Sequence, residues 1–294
     1  RLQLEVRNWK DAWVIYLRKI NGWQAYGDRN PRVSTHLHPF SKLMRRNSFA
    51  IASAYFEHWL RKEDLYSQQS PFIFSLFQGA LTYLKSTQSS PPNNFGFSPT
   101  IFSTPSRNEI KKNPKFSLSE RSMPHKVWLP RKKAAFLCSY LCQTTAAKQV
   151  MEVGTGNGAV TRLLDQVVKG QLHTFSEGFF FDYGTEFSPN TSLISEFTLA
   201  KFTAVLQDLD ALDFLIIHPE FSQERIREVL SQCLPRMQSN GIVALGGIHQ
   251  SHAMAACWEE IKNDRRTTLT LDFFDYGFAF FDYSGPKINL CLGY

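Results

Sequence analysis

Three glycines at alternate positions, Gly154, Gly156 and Gly158, follow a short apolar run (Val150, Met151, Val153) and precede apolar residues at helical spacing, Val160, Leu163, Leu164, Val167 and Val168. A strand that enters a glycine turn and leaves as a helix brings backbone N–H groups close to a ligand. The start of the helix adds partial positive charge beside them. The chemistry this pattern serves is the holding of a nucleotide-like molecule. Glu152, just ahead of the first glycine, is placed to accept hydrogen bonds from such a ligand. Glu177 ends a predicted second strand (171–177) about twenty residues further on, where α/β folds carry a ribose-binding carboxylate. His218 and His249 each follow a predicted strand end on the same side. Imidazole titrates near neutral pH, so either is a candidate general base; the competing reading makes both structural polar residues at loop starts.

Other chemistry is poorly supported. His36 and His38 lie in a predicted loop without a partnering carboxylate or cysteine, so no metal site is expected there. The five cysteines (Cys138, Cys142, Cys233, Cys257, Cys291) stand in apolar contexts, and one helical turn between Cys138 and Cys142 is a poor zinc-knuckle spacing. Buried, reduced thiols and a cytoplasmic location are the expectation. No Gly-x-Ser-x-Gly elbow is present, and no cysteine sits at a strand-to-helix corner. Gly154-x-Gly156-x-x-Ala159 also satisfies the looser dinucleotide pattern, so a nicotinamide site competes; Glu152 and the β-rich C-terminus weigh against it. The net charge of +7 comes without an arginine–aromatic RNA motif, so nucleic acid is not indicated, and no apolar run is long enough to span a bilayer. The sequence opens on Arg1 rather than Met, which leaves any upstream segment open.

The elements that must position these residues divide into two regions. Residues 1–109 read as a helical N-terminal region: helices over 1–27, 41–64 and 71–86, then a Ser-, Pro- and Asn-rich linker over 86–109. Its aromatic stripes (Trp9, Trp13, Tyr16; Phe56, Trp59) point to core or to a docking surface for a protein partner or a second copy. Residues 110–294 begin with a basic stretch (110–133) and a helix (131–145), and then alternate strand and helix. Strands are predicted near 149–153, 171–177, 192–197, 212–217 and 241–245, with helices over 159–169, 198–207, 222–236 and 251–263 between and after them. The runs 267–274, 276–283 and 287–292 follow without a helix and are expected to be antiparallel. The fold class is therefore α/β: a Rossmann-like, doubly wound, mostly parallel sheet with antiparallel C-terminal strands, preceded by a helical N-terminal region.

Together, Glu152–Gly158, the acid at 177 and the β-rich end resemble the class I S-adenosylmethionine-dependent methyltransferases. More narrowly, the chain is similar to an O-methyltransferase-like family of Bacteroidota. The matching runs are Gln69-Ser70-Pro71-Phe72, Gly247-Ile248-His249-Gln250-Ser251, Ala256-Cys257-Trp258-Glu259-Glu260-Ile261 and Thr270-Leu271-Asp272-Phe273-Phe274. The resemblance covers about 50–294 and implies S-adenosylmethionine as cofactor and O-methyl transfer to an unidentified acceptor. It also implies cofactor contacts at Glu152, Gly154, Gly156, Gly158 and Glu177. Three strand-end acids of the family pattern are missing: Ile217-His218-Pro219 replaces an Ile-Asp-Gly, and Gly246-Gly247 replaces two aspartates. A carboxylate-bound metal at those positions is therefore not expected. The alternative reading is a catalytically degenerate methyltransferase fold that serves as a binding or scaffold subunit of a larger assembly.

Overall fold

The computed structural model describes residues 51–63, 70–89, 132–156, 158–176 and 187–293. The expected first helix, His36 and His38, the linker beyond residue 89, the basic stretch up to 131 and Glu177 lie outside the described residues. Helix α1 (51–61) is followed by α2 (Pro71–Ser89), which runs a turn beyond its expected end, and by α3 (Lys132–Thr144). The sheet region then runs β1 (Gln149–Val153), α4 (Ala159–Val167), β2 (Gln171–Phe175), β3 (Thr191–Ile194), α5 (Leu199–Gln207), β4 (Leu212–Ile217) and α6 (Gln223–Cys233). It closes with β5 (Met237–Gly246), α7 (His252–Asn263), β6 (Leu269–Asp272), β7 (Tyr276–Phe280) and β8 (Ile288–Cys291). Residues 51–294 cluster as one unit.

The strands order as β3-β2-β1-β4-β5-β7-β6-β8 in one sheet. This is the Rossmann-like, doubly wound arrangement that the alternation of strand and helix in the sequence predicts. The antiparallel character of the C-terminal end is carried by β7, which runs against both β5 and β6. Strand β8 lies parallel to β6. With β7 already flanked on both sides, the open edge of β6 is the position left for the last strand. All strands except β7 therefore present their carboxyl ends to one edge of the sheet.

Alternation within nearly continuous apolar strands builds two cores, as a sheet covered on both faces requires. Val150, Phe214, Ile216, Ile242 and Ala244 pack under α2, α3 and α4, against Phe77, Leu137, Leu141 and Leu163. Met151, Val153, Leu215, Ile217, Val243 and Leu245 face α5, α6 and α7, against Phe202, Val229, Met254 and Trp258. Parity sends Glu152 to the first face, beneath α4. Helix α2 joins the same core through Ile73, Phe77, Ala80 and Leu84. No described helix is long and apolar enough to cross a membrane.

Candidate functional site

The chain turns from β1 to β2 on one side and to β4 on the other, so the β1/β4 boundary is the topological switch point, where open α/β sheets bind ligands. The glycine turn stands there. Gly154, Gly156 and Gly158 have φ of +100°, +54° and +75°, a region that side-chain-bearing residues adopt only with strain. At Gly154 a second constraint acts, since an added Cβ would lie 2.8 Å from the Cβ of His218. The turn is anchored by the N–H groups of Gly154 and Thr155, both donating to the carbonyl of Phe175 (2.8 and 3.1 Å). Helix α4 starts at Gly158, which has no side chain to cap it, so the positive end of the helix borders the crevice.

Beneath the turn lies a closed polar cluster. Glu152 is fully buried, and its Oε2 accepts from Thr161 Oγ1 (2.5 Å) and Thr174 Oγ1 (2.8 Å). The Nε2 of His218 lies 3.0 Å from Glu152 Oε1 and its Nδ1 lies 3.1 Å from the Tyr276 hydroxyl. Burial pushes the Tyr276 phenol well above its ordinary range, so it stays protonated. Burial, with the charge of Glu152, likewise raises the Cys138 thiol, which hydrogen-bonds with Tyr276. Glu152 and His218 are thus brought together, but each is engaged by internal partners. Thr161, Thr174 and Tyr276 carry no motif, and Cys138 is marked in the sequence only as a buried thiol.

His249 belongs to a second cluster on the same edge of the sheet. The β5–α7 turn carries it, and its Nε2 lies 2.8 Å from Asp272 Oδ2 while its ring stacks on Phe274 with centroids 5.0 Å apart. The other carboxylate oxygen faces His58 of α1, whose Nε2 is 3.3 Å from Oδ1 and 3.1 Å from the Asp272 carbonyl. Burial works against a charge on His58, but the Asp272 carboxylate and Cys291 outweigh it and push the imidazole up to about 10. Burial would raise Asp272, yet His249 and His58 hold it well below the usual carboxylate range. Cys291, at the end of β8, donates its Sγ–H to the His58 carbonyl oxygen (3.3 Å). These side chains line a cavity of about 440 Å³ that Trp258 and Glu259 of α7 also line. His58 and Cys291 have no sequence signal; Asp272 lies within a run that carries the family resemblance.

Placed by the structure, then, Glu152, Gly154, Gly156, Gly158 and His218 converge at the switch point, whereas His249 stands with Asp272 at β5 and β6. Glu177 is outside the described residues.

No family model and no curated protein matches the chain. Solved structures do. A Klebsiella pneumoniae protein described as an O-methyltransferase is 12% identical, with a TM-score of 0.44 over 71% of this chain and 100% of its own. The O-methyltransferase of Bacillus cereus, solved in complex with SAH, is 13% identical with a TM-score of 0.42, covering 68% of this chain and 97% of its own. The O-methyltransferase TomG of Streptomyces achromogenes, solved in complex with SAM, is 11% identical with a TM-score of 0.41 over 69% and 96%.

Proposed function

We propose that the chain is an S-adenosylmethionine-dependent methyltransferase that transfers the methyl group to an oxygen of an acceptor held at the carboxyl edge of β5 and β6. The observation that carries this reading is the glycine turn at the switch point: three positive-φ glycines between the end of β1 and the start of α4. That cradle fits the cofactor, and the SAM- and SAH-bound structures of similar fold support the choice. S-adenosylmethionine would supply a methyl on a sulfonium, which needs in-line placement more than further activation. The chain's own part is then placement and proton removal. Gly154, Gly156 and Gly158 keep the cofactor face of the turn free of side chains. Glu152 and His218 tie the ends of β1 and β4 together beneath it, a positioning role for both. Glu177 is assigned the ribose hydroxyls. His249, donating Nε2–H to Asp272, keeps its lone pair on Nδ1 and is assigned as the base that takes the acceptor's proton. Calorimetry of the whole chain with S-adenosylmethionine and S-adenosylhomocysteine tests the reading. Micromolar binding that is lost in Gly156→Arg is the expected result; absent or millimolar binding by the unaltered protein overturns it.

A second reading, a binding or scaffold subunit without turnover, is favoured by large exposed apolar side chains on α1 and α2: Trp59 (49% exposed), Leu60 (62%) and Phe72 (49%). It requires a stable stoichiometric partner on purification from the native source. A purely monomeric protein there counts heavily against it.

A further inference from the structure

The polar cluster at the carboxyl edge of β6 and β8 has a donor set that hydrogen bonding alone does not require. Asp272 and Cys291 are register partners on parallel strands, so their side chains emerge on the same face. Helix α1 brings His58 against both. The segment that follows α1 is fastened to β8 by the Glu63 N–H donating to the Cys291 carbonyl (2.7 Å) and by a bridge to Leu292. One nitrogen, one carboxylate oxygen and one sulfur all lie within 4.8 Å of one another. Ligand atoms about 2.0–2.3 Å from a tetrahedral zinc ion stand roughly 3.3–3.8 Å apart. The His58 Nε2–Asp272 Oδ1 separation of 3.3 Å already meets that spacing, and the widest pair closes by about 1 Å.

We infer that His58, Asp272 and Cys291 form a zinc site with its fourth coordination position open to the cavity beside α7, the metal displacing to solvent the protons that His58 Nε2 and Cys291 Sγ carry in its absence. Imidazole, carboxylate and thiolate together select zinc over magnesium or calcium, which take oxygen ligands. His249 holds the second oxygen of Asp272 at 2.8 Å, and Oδ1, which accepts the Phe274 N–H at 2.8 Å, keeps its other lone pair for the metal; these contacts are the outer support that metal-binding carboxylates normally have. The cavity of about 440 Å³ gives the open position room for water or for an oxygen- or sulfur-bearing ligand. The site is distinct from the strand ends at His218 and Gly246-Gly247, where the family's acids are missing. It stands apart from the methyl-transfer reading, because metal binding is measured without S-adenosylmethionine.

The test uses the full chain, stripped of metal with a chelator and titrated with cobalt(II) as a spectroscopic stand-in, then with zinc in competition with a chromophoric chelator. One equivalent should bind, giving the strong visible bands of tetrahedral cobalt together with a thiolate charge-transfer band in the near ultraviolet. Cys291→Ser should abolish the charge-transfer band, and His58→Gln should weaken zinc binding by at least about 100-fold. His249→Asn, which removes only the outer support, should cost about 10- to 100-fold with the spectrum retained. Circular dichroism checks that each variant folds. If His58→Gln does not fold, Cys291→Ser decides, since that near-isosteric change lies at a partly exposed position. Absence of tetrahedral cobalt bands, or a spectrum that survives Cys291→Ser intact, overturns the assignment.

Discussion

Among single residues, Glu152 shows how a conspicuous sequence position can have inconspicuous partners. Its place ahead of Gly154 was legible, because strand, acid and glycines are contiguous. The groups that engage it come from α4, β2 and the start of the loop after β4, with Tyr276 and Cys138 behind, and only the folded chain brings them together. Glu152→Gln keeps the shape but replaces one acceptor oxygen with a donor that faces other donors. The expected cost is about 1–3 kcal/mol of folding stability, read from urea unfolding as a lower midpoint with an unchanged slope. His173 on β2 offers a separate measurement. Desolvation lowers its pKa below 6.5, only partly offset by Asp208, and its Nδ1 is buried with no partner among the described residues. The unfolded chain therefore binds a proton that the folded chain does not. Stability contributed at higher pH is lost as the pH falls through about 6.5. His173→Gln should show a smaller drop in Tm than the unaltered protein between about pH 7 and pH 5; an identical drop would exclude this linkage.

At the scale of elements, the period-two parity of β1, β4 and β5 was written in the sequence, and it decides which helices cover which face. Ends were less legible. Helix α6 stops at Cys233 rather than 236, because Pro235 lacks an N–H for the helix to use and the chain continues as a 3-10 turn over Leu234–Arg236. Strand β5 then begins at Met237, earlier than its apolar run indicated, since Gln238, Ser239 and Asn240 are polar and exposed. Helix α7 is seated by a close approach that no local pattern reveals: an added Cβ at Gly277 of β7 would meet the indole of Trp258 at 2.6 Å. Trp258 is fully buried and is too rigid to yield locally. Gly277→Ala should therefore push α7 off the sheet and cost about 1–3 kcal/mol. Because Trp258 also lines the cavity beside Asp272, the same variant should alter the near-ultraviolet circular dichroism of its tryptophans while far-ultraviolet helicity stays unchanged.

For the whole molecule, the five thiols report whether the two faces of the sheet unfold as one. Cys138 and Cys142 lie in the core under α2, α3 and α4, whereas Cys233 and Cys257 lie in the core under α6 and α7. Burial raises all four, Cys142 and Cys233 to about 12, so little thiolate exists near neutral pH and no reagent can reach it without opening. Cys291 is partly exposed at the sheet edge. In chelator-treated native protein, a thiol reagent should label Cys291 alone on the fast timescale. The remaining four then label at rates set by opening of the core. Both cores share β1, β4 and β5, whose alternate side chains belong to opposite faces. One face cannot be lost without stripping packing from the strands that support the other. A single rate for all four thiols in mild denaturant, followed by mass spectrometry of labelled peptides, is therefore expected. Earlier labelling of Cys138 and Cys142 would instead show that the α2–α3 layer, held to the sheet by Ile73, Phe77 and Leu84, detaches as a unit of its own.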